Sequence, residues 1–112
     1  MSIINVMPAE SKGELKIYSC PKFICQQVEW ALSDIFKNQI EFIWKEQIVA
    51  PSTMSANLTW KGPINLGSRI VSVLSKWPKI RLEVFQESFE KNFAERYCLS
   101  PNLGIFRAEM NE

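Results

Sequence analysis

Residues 57–87 constrain the fold most, because the hydrophobic period changes twice within them. Asn57-Leu58-Thr59-Trp60-Lys61 alternates polar and apolar residues, the period of a half-buried strand. Leu66, Ile70, Val73, Leu74 and Trp77 then recur at helical spacing. Ile80-Arg81-Leu82-Glu83-Val84 alternates again. This predicts strand, helix, strand. Gly62-Pro63 ends the first strand, Asn65 is placed to cap the helix, and Pro78 stops it near Trp77.

The flanking sequence extends the same plan. Glu14-Leu15-Lys16-Ile17-Tyr18 alternates and predicts a first strand. Ser19 or Cys20 can cap a helix, Pro21 suits its first turn, and Asn38 suits its end near residue 37. Ile24, Val28, Ala31, Leu32 and Ile35 form its buried stripe, with Phe23 and Trp30 widening one flank. Ile40-Glu41-Phe42-Ile43-Trp44-Lys45 predicts a second strand with Ile40, Phe42 and Trp44 inward. Residues 47–53, around Ala50-Pro51-Ser52, read as a loop before a third strand over 54–61 with Ala56, Leu58 and Trp60 inward. The fourth strand covers 80–87, and 88–94 read as a loop or helical turn. Two short strands follow, over 96–99 and 103–108, around Ser100-Pro101-Asn102. Residues 1–12 are expected to be a loose extension of one domain over 13–112, with Pro8, Ser11 and Gly13 breaking the pattern, although Ile3, Ile4 and Val6 could form a short edge strand.

The expected class is therefore α+β. The order matches the βαββαβ, ferredoxin-like split βαβ sandwich, with an added C-terminal strand pair. Two helices cover one face of the sheet in that plan, and the other face stays open.

Composition excludes several functions. A length of 112 residues suits one domain, and a net charge of +1 supplies no bulk field for nucleic acid or an anionic membrane. No stretch approaches the ~20 apolar residues of a spanning helix. The N-terminus lacks the basic start and apolar run of a secretory signal, and the cysteines, Cys20, Cys25 and Cys98, are odd in number. Reduced thiols in the cytoplasm are expected. The chain has no histidine, so histidine catalysis is excluded, and zinc would need all three thiols plus a carboxylate. No metal site or cofactor is expected, and no GxGxxG, Walker A, HExxH or GxSxG pattern occurs. RNA recognition by a sheet of this kind needs stacking rings, yet the third strand offers Asn57 and Thr59.

Alternation places Lys16, Tyr18, Asn57, Thr59, Lys61, Arg81, Glu83 and Phe85 on the open face, with Glu41, Ile43 and Lys45 at its edge. Such a face is either solvated and laced with cross-strand ion pairs or a binding platform. Glu29, Glu83 or Glu95 could serve as a base if desolvated, and Arg69, Arg81 or Arg96 could hold an anion. No spacing brings an acid, a base and an anion clamp together, so no catalytic residue is assigned. Cys25, near a helix start, reads as a small buried residue rather than an activated thiol. Gly67-Ser68-Arg69 could bind a phosphate at a helix N-terminus, but one glycine more simply eases a turn.

Several stretches in order carry a family resemblance: Cys25-Gln26-Gln27-Val28-Glu29-Trp30-Ala31, Leu58-Thr59-Trp60-Lys61-Gly62, Gly67-Ser68-Arg69, Leu74-Ser75-Lys76-Trp77, Ile80-Arg81-Leu82-Glu83-Val84, Glu95-Arg96-Tyr97 and Pro101-Asn102-Leu103-Gly104-Ile105-Phe106. Over residues 13–108 the chain resembles the actinobacterial domain of unknown function 3145 family. The resemblance implies a cytoplasmic protein with no established activity, and it hints at lipid metabolism. It puts the polar signature on Glu29, Trp30, Arg69, Arg81, Glu83, Glu95, Arg96 and Tyr97. It also places histidines in other members where this chain has Tyr18, Gln27 and Arg107, and a longer C-terminal tail where this chain stops at Glu112.

The function expected is a non-catalytic binding or regulatory module for a protein partner or small ligand, using Arg81, Glu83, Arg96 and Tyr97. The alternative is a small enzyme with a desolvated carboxylate and an arginine clamp. A structural subunit is the third reading, favoured if Phe23, Trp30 or Phe85 share one exposed patch. Edge strands also suit a homodimer.

Overall fold

The computed structural model describes residues 3–47, 52–90, 93–101 and 103–111. Its strands are β1 (Ile4–Asn5), β2 (Ser11–Pro21), β3 (Lys45–Glu46), β4 (Thr53–Gly62), β5 (Arg81–Ser88), β6 (Phe93–Ser100) and β7 (Gly104–Asn111). Its helices are α1 (Cys25–Phe36) and α2 (Leu66–Leu74), with a 3₁₀ turn at Lys22–Ile24 before α1. The strands form one sheet in the order β1-β4-β2-β5-β6-β7, with β3 also on β4. All pairings are antiparallel except β1 with β4. The α+β class is as expected.

Alternation explains where the core lies. Leu15 stands opposite both Leu58 and Val84, and Ile17 opposite Leu82, so every second residue of the central strands meets the helices. Val28, Leu32, Ile35 and Phe36 of α1 and Leu66, Ile70, Val71 and Leu74 of α2 close over them. Trp60 is the largest fully buried side chain, edge-on to Phe36 with centroids 5.9 Å apart. Its indole N–H has no hydrogen-bond partner among the described residues, contrary to the expectation that a buried indole finds one.

The lead-in is not loose where it is described. Ile4 pairs with Trp60, the Val6 N–H donates to the Lys61 carbonyl at 2.8 Å, and both side chains pack on the core. β2 starts at Ser11, whose buried hydroxyl donates to the Gly62 carbonyl at 2.9 Å. These contacts make the segment the short edge strand that Ile4 and Val6 allow, instead of a loose tail.

The second strand is the main correction to the pairing. Ile40 is buried, and Phe42 and Trp44 pack against the core as expected. The backbone, however, bonds to α1 instead of β4. The Ile40 N–H donates to Ser33 Oγ at 2.8 Å. Glu29 Oε2 accepts the Phe42 N–H at 2.7 Å and the Trp44 indole N–H at 3.1 Å. The backbone reaches β4 from Lys45 onward, through the Lys45–Glu46 pairing and the Gln47 N–H, which donates to the Thr53 carbonyl at 3.1 Å.

Phe23 and Trp30 do not widen the buried stripe; they are 77% and 62% exposed. Trp30 is two residues from both Val28 and Leu32, about 200° around a helix. Phe23 sits in the 3₁₀ turn, whose tighter period breaks its phase with α1. α1 ends at Lys37, left-handed with φ 55°, whose N–H bonds the Ser33 carbonyl. At α2 the Asn65 side chain makes no cap bond. Buried Gln86 holds that end instead: its Oε1 accepts the Gly67 N–H at 2.8 Å, and its Nε2 donates to the Ile64 carbonyl. The final strands are longer than predicted, because pairing runs from Phe93↔Asn111 to Ser100↔Gly104. Residues 48–51 of the expected loop and Asn102 of the expected turn lie outside the described residues.

Candidate functional site

Both helices lie on one face of the sheet, and among the described residues nothing covers the other. Strand register organises that open face into rows. One row runs Asn57, Lys16, Glu83, Cys98, Phe106, and the next runs Thr59, Glu14, Phe85, Arg96, Ala108. Phe106 is 67% exposed and Phe85 half-buried, so two rings flank the Arg96–Glu83 pair, which is 3.9 Å apart. Lys12–Glu87 and Lys16–Glu14 pair at 3.8 and 3.9 Å. Exposed pairs at such distances contribute little, typically 0–1 kcal/mol each. Lys61 and Arg81 are exposed with no carboxylate partner among the described residues.

A bulge after Ile17 breaks the register of β2, and Tyr18 there is 45% exposed. It lines an open groove of about 970 Å³ with Lys16, Asn57, Ile43 and Asn38. The groove exists because residues 40–44 follow α1 and leave the edge of β4 between β1 and β3.

The signature residues fall into separate places. Arg81, Glu83 and Arg96 share the open face. Glu95 and Tyr97 project from the same strand as Arg96 but on the helix side, where Val84 faces Tyr97 and Gln86 faces Glu95. Glu29 ties α1 to residues 42 and 44, so it is a structural acceptor. Trp30 and Arg69 are exposed on the outer sides of α1 and α2. The structure therefore gathers Arg81, Glu83 and Arg96, and leaves Tyr97 on the other side of the sheet.

Sequence reasoning missed Arg107 as a partner. Glu95 is 8% exposed, and its Oε2 accepts the Tyr97 hydroxyl at 2.8 Å and Arg107 Nε at 2.8 Å. Arg107 Nη2 lies 2.6 Å from the same oxygen and 2.8 Å from Glu109 Oε1. The hydrogen bond from Arg107 to Glu95 raises the Arg107 pKa, and burial, then Glu95, pushes the Tyr97 phenol up. A hairpin closing around position 102 puts 97 opposite 107, so the turn at Pro101-Asn102 could have revealed the pair.

The cysteines are free thiols. Burial pushes Cys20 far above its ordinary value, with Cys25 adding to the shift. Burial also raises Cys25 and Cys98, and Glu83 adds to the rise at Cys98. None is an activated nucleophile, and among the described residues no cluster of potential metal ligands occurs. Four groups with raised pKa values stay neutral longer in the folded state. Their ordinary values are 9.0 for the thiols and 10.0 for Tyr97. Above about pH 9 the unfolded chain then binds fewer protons than the folded one, so stability falls as pH rises. Scanning calorimetry should show Tm falling continuously between about pH 9 and 11, and a smaller fall for Cys20→Ala. A flat Tm over that range would sink the assignment.

The architecture and these contacts define a small α+β protein with one open, amphipathic sheet face. Among those residues no helix is long and apolar enough to cross a membrane. The profile of the family described as protein of unknown function (DUF3145) matches residues 15–112, and the chain belongs to that family. No curated protein and no solved structure matches it.

Proposed function

We propose that this protein is a non-catalytic binding module that docks a protein partner on the open face of its sheet. One observation carries the reading: Phe85 and Phe106 stand among paired arginines, lysines and glutamates on a face that no other described element covers, with Tyr18 in the groove beside it. Aromatic residues and arginine are the types that dominate the energetics of protein interfaces. The enzyme alternative is disfavoured because Glu29 and Glu95 are committed to hydrogen bonds and Glu83 lies beside Arg96. A purely structural subunit is disfavoured because Phe23 and Trp30 are on the helix side, away from Phe85.

We read the central elements as the ferredoxin-like split βαβ plan. The neighbour order β3-β4-β2-β5, antiparallel throughout, supports that reading, with β6 and β7 as the added pair. The three free thiols support a cytoplasmic setting. A small ligand is the second reading, favoured by the groove beside Tyr18.

Photo-crosslinking tests the docking face. A benzophenone amino acid at Phe85 or Tyr18 should trap one discrete protein in the native cell, and the same group at Trp30 should not. Arg81→Ala and Arg96→Ala should each weaken the adduct while circular dichroism stays unchanged. Trapping from Trp30 alone, or unfolding of both arginine variants, would overturn the protein-docking reading. A retained small mass in native mass spectrometry, with no protein adduct, would support the ligand reading instead.

A further inference from the structure

We infer that the outer edge of β7 is the seam of a homodimer, in which two copies pair antiparallel about a two-fold axis through Ala108. β7 ends the sheet, and no described strand pairs with its outer side over eight residues. Soluble proteins usually blunt such an edge with proline, a bulge, a covering element or charged side chains, and here the charges, Arg107 and Glu109, are bonded to each other. Gly104–Asn111 contains no proline, and its pairing with β6 runs without a register shift. Ile105 and Phe106 are 49% and 67% exposed, so the edge also leaves apolar surface in water.

Charge fixes the occupant and the register. Arg107 and Glu109 alternate on the helix side of the sheet, opposite Tyr97 and Glu95. A two-fold axis normal to the sheet keeps each face on its own side, so it must pass through one residue of β7. An axis at Arg107 would oppose two arginines, and one at Glu109 two glutamates. With the axis at Ala108, Arg107 of each copy faces Glu109 of the other, twice. The small side chain of Ala108 meets itself at the centre. Arg107 has five N–H donors and holds Glu95 and Glu109 of its own chain on one oxygen each, leaving capacity for the carboxylate of the second copy. The second copy thereby completes a charge ladder that begins at buried Glu95. The seam also joins the two open faces into one, but the inference does not depend on what binds there.

Ala108→Cys tests the axis. Under mild oxidation it should give a reducible species at twice the 13.0 kDa chain mass. Ile105→Cys should not, because the register sets position 105 opposite 111 of the second copy. The unaltered chain, oxidised in parallel, measures any background from Cys98. Glu109→Lys places like charges across the seam twice and should weaken dimerisation roughly tenfold by light scattering. Glu109 is exposed, so that variant should keep its circular dichroism spectrum. A chain that stays monomeric at millimolar concentration would overturn the inference. So would cross-linking of Ile105→Cys as readily as Ala108→Cys, or dimerisation unaffected by Glu109→Lys. Because every readout concerns the β7 edge, failure here leaves the Phe85 and Tyr18 cross-links of the docking reading standing or falling on their own.

Discussion

Gly13→Ala is expected to destabilise the protein by about 3 kcal/mol, the upper end for overpacking a well-filled core. Gly13 pairs directly with Trp60 across β2 and β4. A Cβ there would sit 2.2 to 2.7 Å from three atoms of the Trp60 ring. The ring cannot retreat, being 1% exposed and edge-on to Phe36. Glycine to alanine ordinarily stabilises by ~0.4–1 kcal/mol where the backbone permits it, through loss of unfolded-state entropy. The sign of the change therefore separates the two effects. At ~4 °C per kcal/mol, Tm should drop by roughly 10 °C. Trp60→Leu removes the clashing ring, so Gly13→Ala should cost far less in that background than alone. An alanine variant as stable as the parent would mean that the strand and ring are not in this contact.

The same pair shows what sequence could and could not disclose. The alternation at 57–61 marks Trp60 as inward because a period of two depends only on the strand itself. Gly13 reads as a pattern breaker, since its purpose depends on a residue 47 positions away that register alone brings opposite. Residues 40–44 make the point for pairing. Their side chains face the core as the pattern predicts, but Glu29 and Ser33 capture the backbone that β4 would otherwise bind. A carboxylate accepting a backbone N–H thirteen residues on leaves no periodic trace. Trp30 fails for another reason: a seven-residue repeat from Phe23 is a helical signal only if both residues belong to one helix, and α1 begins after Phe23.

The candidate site was legible in the same uneven way. Arg81 and Glu83 alternate with Leu82, so their common face follows from the strand pattern, and Arg96 joins them through the Phe85↔Arg96 register. Glu95-Arg96-Tyr97 reads as one polar run, yet adjacent strand residues point to opposite faces. Splitting that run separates an exposed arginine from a buried carboxylate. The partner of that carboxylate lies on the next strand, where an arginine has no periodic neighbour to announce it.

Arg107→Met should destabilise the protein measurably, but by less than the loss of a fully buried pair would, because the arginine is half in water. Its side chain is 48% exposed, against 11% for Glu95. The loss is asymmetric for that reason. Without Arg107, the Glu95 carboxylate keeps, of its hydrogen bonds to described side chains, the Tyr97 hydroxyl at 2.8 Å while remaining largely out of solvent. Glu95→Met leaves an arginine that can turn to water or to Glu109, so it should cost less than Arg107→Met. The double variant Glu95→Met/Arg107→Met removes both charges and fills the space with apolar atoms, which is often near neutral for such pairs. Urea denaturation of the four proteins gives the coupling directly, and it should exceed the loss caused by Arg107→Met alone. If the two single changes simply add, the contacts at 2.6 and 2.8 Å contribute no more than an ordinary surface ion pair, and Glu95 is held in place by packing under α2 alone.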